Sequence, residues 1–438
     1  MTRSKHSYQE LHWSRSYWDI PTGWSFPPIG ELFTQRRERS SDKSAFPLYS
    51  FTIEDGVTEK TERYERSFLL KDGDENEFAV VHPGDFVSNP MNLRFGAIGC
   101  SRVPFPVLVS GYYDVLTPNL DRVDPRFLEA FLRSHWAINL YDRIAIGSLI
   151  EKRRVHLSIL NETHIPLPPL PEQRKIATIL STWDRAIELT EKLIAAKQQR
   201  KAALMQQLLT GKVRFKEFIQ SLTRHRTPVG EMPVDWAMHK LATVTKKLKR
   251  KNSVGESHVL TASGEHGLVD QREFFNRSVA GADLSGYYLL KRGEFAYNRS
   301  AMNGYPFGAI KRLDRYEQGV LSTLYICFGL ADERLCDSNF MAHYFEARLL
   351  DRQLCEVTQV GGRAHGLLNI TDADFYSMHL VLPGIEEQRK IAPVLNEQQR
   401  EIDLLQQKLE ALRRQKKGLM QQLLTGKVRV KVTESSGE

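Results

Sequence analysis

Little in this sequence points to chemistry carried out by the chain itself. Its four cysteines, Cys100, Cys327, Cys336 and Cys355, include no C-x-x-C pair, which excludes a thiolate zinc ribbon and a disulfide framework and leaves reduced core thiols. No stretch approaches the roughly 18 consecutive apolar residues of a membrane span. Residues 1–10 are polar and lack the apolar run of a secretory leader, so a cytoplasmic location is expected. H-E-x-x-H, G-x-S-x-G and paired Cys/His metal ligands are missing. Leu-Thr-Gly-Lys occurs twice, but Lys212 and Lys427 are followed by Val, and no glycine lies five residues before Gly211 or Gly426. Neither is a phosphate loop; both suit a glycine helix stop. Ser88-Asn89-Pro90-Met91 lacks the second proline and the aromatic of an amino-methyltransferase motif, so Asn89 fits a turn. An enzyme reading, whether methyltransferase or nuclease, loses its support.

What is present is ordinary globular composition with a basic surplus. Hydrophobic residues make up 41% and charged residues 26%, with a net charge of +8. A polyanionic partner is consistent with that charge, because Lys and Arg that neutralise phosphates release condensed counterions. At 438 residues and about 150 per domain, the chain should hold two or three domains.

The organising feature is a tandem duplication. Residues 172–214, which begin EQRKIA and end MQQLLTGKVR, match residues 387–429 without a gap, and roughly half the positions are identical. The likeness continues upstream. Pro21-x-x-Trp24 recurs as Pro233-x-x-Trp236, Gly84-Asp85-Phe86 as Gly293-Glu294-Phe295, and Phe95-Gly96-Ala97-Ile98 as Phe307-Gly308-Ala309-Ile310. Each unit is thus a divergent globular part followed by a near-invariant helical part. In the first helix Ile176, Leu180, Trp183, Ile187, Thr190, Ile194, Lys197, Lys201, Leu204 and Leu208 alternate by four and three, the spacing of a heptad seam. The second keeps that register with Ile391, Leu395, Gln398, Ile402, Leu405, Leu409, Leu412, Lys416, Leu419 and Leu423. A seam this narrow does not stabilise a lone helix in water, so the two are expected to pack together. Pro393 predicts a kink two turns into the second helix, or a helix that begins there. The globular parts mix short alternating runs with helical ones, an α/β or α+β signature. Residues 215–232, with Arg224-His225-Arg226, read as a linker.

These residues resemble a known family. Pro166-Leu167-Pro168-Pro169-Leu170-Pro171-Glu172-Gln173, running into a helix that ends Leu208-Leu209-Thr210-Gly211, is similar to the region after each variable domain of type I restriction-modification specificity subunits. Leu382-Pro383-Gly384-Ile385-Glu386-Glu387-Gln388 through Gly426 looks like its distal counterpart. The resemblance implies target-recognition domains at 21–170 and 233–385, a central spacer helix at 171–214 and a distal one at 386–429. Around these lie an extension (1–20), the linker (215–232) and a tail (430–438). It implies an antiparallel coiled coil with pseudo-twofold symmetry, each domain reading one half of a split asymmetric double-stranded DNA site. Two methyltransferase subunits and the restriction/translocase subunits are the implied partners. They would carry S-adenosylmethionine, ATP and Mg, with no cofactor in this chain. A specificity subunit serving methylation alone, or a structural coiled-coil adaptor, remain alternatives.

On that reading the candidate phosphate contacts are Lys246, Lys247, Lys249 and Arg250, with a fainter counterpart at Arg36 and Arg37. Candidate base contacts are Asn89, Asn92 and Arg94 beside the first Phe-Gly-Ala-Ile, and Asn298, Arg299 and Asn303 beside the second, since Asn pairs well with adenine and Arg with guanine. Arg363 and His365 are further candidates.

Overall fold

The structure, a computed structural model, describes residues 20–59, 77–149, 153–264, 266–275, 281, 283–302, 304–358 and 368–432. It forms two compact units, Met1–Thr190 with Lys408–Glu438, and Glu191–Gln407. Neither unit is one continuous repeat. Each combines a globular part, one end of the helix that follows it, and one end of the other repeat's helix.

In the first unit a four-stranded antiparallel sheet runs in the order Phe33–Arg36, Asp114–Pro118, Phe86–Ser88, Ile98–Cys100. Side chains alternate across it as strand geometry demands. Phe86, Ile98 and Leu116 face a core shared with the helices Pro125–Leu132 and His135–Ile144. Val87, Ala97 and Val115 face a second core with Val107 and Val109. The second unit repeats the order with Thr245–Lys247, Ile326–Leu330, Phe295–Asn298 and Ala309–Arg312. Here Phe295, Tyr297 and Phe328 join the helix-side core, while Ala296 and Cys327 face the other. Gly308 opens the last of these strands with φ +79°, and a Cβ there would lie 2.2 Å from the Asn298 carbonyl oxygen. Only glycine fits that position.

The long helices span Leu170–Leu208 and Ile385–Leu423. Every seam residue is buried or half-buried, including Trp183, Ile187, Leu204, Leu405, Leu412 and Leu419. The two helices run antiparallel. In the second unit Lys197 Nζ donates to Glu401 Oε2 at 2.6 Å and Lys201 Nζ to Gln399 Oε1 at 2.6 Å. In the first, Lys416 pairs with Asp184. Their outer ends enter the domain cores. Ile176, Ala177 and Leu180 lie with Leu423 and Leu424 in the first unit, and Met205, Leu208 and Leu209 with Ile391, Ala392 and Leu395 in the second.

The second helix corrects one expectation, because it starts at Ile385 and continues through Pro393 rather than beginning there. Pro393 and Arg389, whose carbonyl loses its intrahelical donor, are both exposed, so the missing bond falls on the exposed face of the helix. The flanking Ile391, Ala392 and Leu395 are buried and hold the turn in place.

Two clasps explain the repeated phrases. Glu172 accepts from Arg429 Nε at 2.8 Å and Nη2 at 2.8 Å, and from Trp24 Nε1 at 3.1 Å. In the other unit Glu387 accepts from Arg214 Nε at 2.9 Å and Nη2 at 2.8 Å, while Arg214 Nη1 bridges both oxygens of Asp235 at 2.8 Å. Gly426 (φ +71°) ends one helix against Pro21 and Trp24, and Gly211 (φ +63°) ends the other against Pro233 and Trp236. The adjoining glutamines anchor a domain helix: Gln173 Oε1 accepts from Asp124 N at 2.9 Å, and Gln388 Oε1 from Asp337 N at 2.9 Å. Asp124 and Asp337 are themselves the N-caps of the helices they precede. Residues 215–232 carry more than connecting chain. Arg224–Thr227 and Gly230–Pro233 form a hairpin, and Arg224 donates to the Gly211 carbonyl at 2.8 Å and the Thr210 carbonyl at 2.9 Å.

Candidate nucleic-acid interface

Strand register gathers several of the candidate residues at one end of each four-stranded sheet. In the first unit Arg36 lies opposite Val115 and Ser88 opposite Asp114. The chain leaving Arg36 and the Asn89–Arg94 segment therefore emerge at the same sheet end, two strand spacings or about 10 Å apart. In the second unit Lys247 and Phe295 both lie opposite Phe328, and Tyr297 opposite Ile326. Lys247, Lys249 and Arg299 are close enough there to act on one another: burial first, then the Lys249 and Arg299 charges, hold the Lys247 ammonium below the usual lysine range.

Within these groups the side chains divide by partner. Arg36 donates to Asp85 at 2.6 Å and to the Thr117 hydroxyl at 3.2 Å; Arg250 donates to Glu294 at 2.9 Å. Those acids are the repeated Gly-Asp/Glu-Phe position, so both arginines brace the sheet, and the bonds to the carboxylates raise their pKa values further. Lys247 pairs with Asp372. Arg94 pairs with Asp142 at 2.7 Å. Arg299 donates to the carbonyls of Leu324 at 2.8 Å and Ile370 at 3.2 Å. Asn89 accepts from Met91 N at 3.1 Å, and Asn298 accepts from Ser300 N at 3.1 Å, which are turn roles. Arg37, Asn92, Lys246 and Lys249 remain exposed. Asn303, Arg363 and His365 lie outside the described residues.

Sequence reasoning passed over Met91 and Phe95, which stand 50% and 59% exposed on the same loop as Asn92. Phe95 sits within the repeated Phe-Gly-Ala-Ile, a phrase whose other apolar residues are core, and no sequence signal separates it from them. The arrangement offers cations for phosphates and an amide with apolar side chains for base edges.

The comparisons agree with the architecture. A family model described as type I restriction modification DNA specificity domain matches residues 21–198. The chain is 27% identical over 340 residues to the type I restriction enzyme MjaX specificity subunit of Methanocaldococcus jannaschii, covering 72% of this chain and 71% of that one. It is 30% identical over 293 residues to the MjaVIII specificity subunit of the same organism, covering 63% of this chain and 65% of that one. A solved type I restriction-modification S subunit from M. genitalium shares the fold, with TM-score 0.53, 14% identity, and coverage of 95% of this chain and 98% of that one. A duplicated fold, reciprocal helix clasps and these likenesses converge: residues 21–198 match the type I restriction modification DNA specificity domain, and the chain is similar to type I specificity subunits.

Proposed function

We propose that the chain reads a split, asymmetric DNA site in the cytoplasm, one half per recognition domain, and that its paired helices dock two methyltransferase subunits. Adenine methylation, ATP-driven translocation and cleavage belong to the partner subunits, together with S-adenosylmethionine, ATP and Mg. One observation carries the reading. The same sheet order occurs twice, and each time the register brings a basic segment and an Asn/Arg-bearing loop to the same sheet end. Two such ends of different sequence suit two different half-sites, with Arg37, Lys246 and Lys249 toward phosphates and Asn92 toward a base. Co-expression with the cognate methyltransferase, followed by mapping of modified adenines across a genome, should return one motif of two fixed halves around an unspecified gap. A continuous motif, or methyl transfer by the isolated chain, would refute it.

A further inference from the structure

The seam between the long helices is not uniform along its length, and its polar positions differ between the repeats in a patterned way. Three contacts share one antiparallel register: Lys197 with Glu401, Lys201 with Gln399, and Lys416 with Asp184. Lys201 and Lys416 are repeat equivalents, and so are Gln399 and Asp184, so these two contacts are one contact made twice. The equivalents of Lys197 and Glu401 are Leu412 and Ala186. The register that brings Lys197 to Glu401 sets Leu412 level with Ala186, and both are half-buried. One layer of the seam is therefore an ion pair at one end and an apolar pair at the other.

We infer that this layer makes the first long helix fit the second and not itself, so that unlike repeats pair within one copy in preference to like repeats between two copies. Consider two chains that exchange partners like for like. The contacts at Asp184, Lys201, Gln399 and Lys416 are conserved in number, because two Lys201–Asp184 pairs and two Lys416–Gln399 pairs replace the native ones. The other layer is not conserved. In a pair of first helices each Lys197 meets Ala186, and in a pair of second helices each Glu401 meets Leu412. Both native ion pairs are lost, and four half-buried charges face apolar side chains, the kind of mismatch by which coiled coils reject wrong partners. Selectivity matters during synthesis. At about 5–20 residues per second, the first helix waits roughly 10–40 s for the second to be made, and in that interval the only matching seam at hand is the first helix of a neighbouring nascent copy.

The test uses the full chain. Ala186→Glu gives the first helix a partner for Lys197 in another copy and sets a carboxylate against Leu412 in its own. The unfolding midpoint should fall by roughly 2–6 °C, and capture of an untagged copy by a co-expressed tagged one should rise about tenfold. Adding Leu412→Lys supplies an ion pair in every combination, like or unlike. The midpoint should then return to within about 1 °C of the parent, while co-capture stays raised. Rescue of stability without rescue of selectivity is the signature of this layer. An unchanged midpoint and co-capture in Ala186→Glu, or no recovery of the midpoint on adding Leu412→Lys, would overturn the inference.

Discussion

Replacing Arg214 by Met tests the clasp that locks the first long helix onto the second domain. Its side chain is 7% exposed, and those of its partners Asp235 and Glu387 are 8% and 2% exposed. Met keeps the aliphatic bulk but leaves two buried carboxylates without their cation. Removing one partner of a buried pair costs about 3–5 kcal/mol. Asp235 keeps the bond from the Gln220 amide at 3.2 Å, so the lower figure applies, about 3 kcal/mol. For a unit of this size that lowers the midpoint by about 6–12 °C. Arg429→Met, the repeat equivalent, removes a side chain that is 41% exposed and should cost only about 1 kcal/mol. The pH dependence separates the two further. Burial opposes the Asp235 charge, but the bonds from Arg214 and the Gln220 amide outweigh it and hold the carboxyl below the usual aspartate range. Its stabilisation is complete above the unfolded value of about 4 and is lost as pH falls through the depressed folded value. In Arg214→Met that acid-side loss should shrink. Urea unfolding of both variants, followed from pH 7 to pH 3, decides the matter. Equal losses from the two arginines, or a loss under about 1 kcal/mol at Arg214, would show that the clasp is not the lock described.

Three further outcomes follow from the same geometry. His343 Nε2 donates a 2.7 Å bond to Asn396 Oδ1 on the second long helix, and burial first, then the Lys201 and Arg312 charges, push its pKa down to about 4. The unfolded chain protonates near 6.5, so stability is full above that pH and is lost as pH falls toward about 4, in total roughly 3 kcal/mol; His343→Gln should flatten urea midpoints across that window. Neutralising Lys246 and Lys249 should weaken binding to all DNA sequences alike and reduce the salt slope by about two, whereas Arg250→Ala should lower the unfolding midpoint, because its partner Glu294 is left behind. Inserting about four residues into both helices, near Ala195 and Glu410, adds roughly 6 Å of helix and should widen the gap in the methylated motif by about one to two base pairs without changing either half. Methylation mapping of an active variant that keeps the original gap would remove the helices as the ruler.

The sequence by itself settled what repeats along the chain. Helix periodicity is local, so the four-three alternation from Ile176 to Leu208 and from Ile391 to Leu423 locates both seams, and a constant offset reveals the duplication. Glycine stops at Gly211 and Gly426 were legible for the same reason, since a left-handed backbone after a helix is a property of a few adjacent residues. What a side chain meets far along the chain was not legible. Arg36 and Arg250 look like free cations until the fold supplies Asp85 and Glu294. Pro21-x-x-Trp24 looks like a domain opening until Gly426 and Arg429, at the other end of the chain, close on it. Pro393 allows either a kink or a helix start until buried neighbours on both sides carry the helix past it and remove the second. In each case the deciding interaction joins residues that are distant in sequence, and its strength comes from burial that only the assembled domain creates. Periodicity could show that two helices should pair; only tertiary packing decided that each domain holds one end of both.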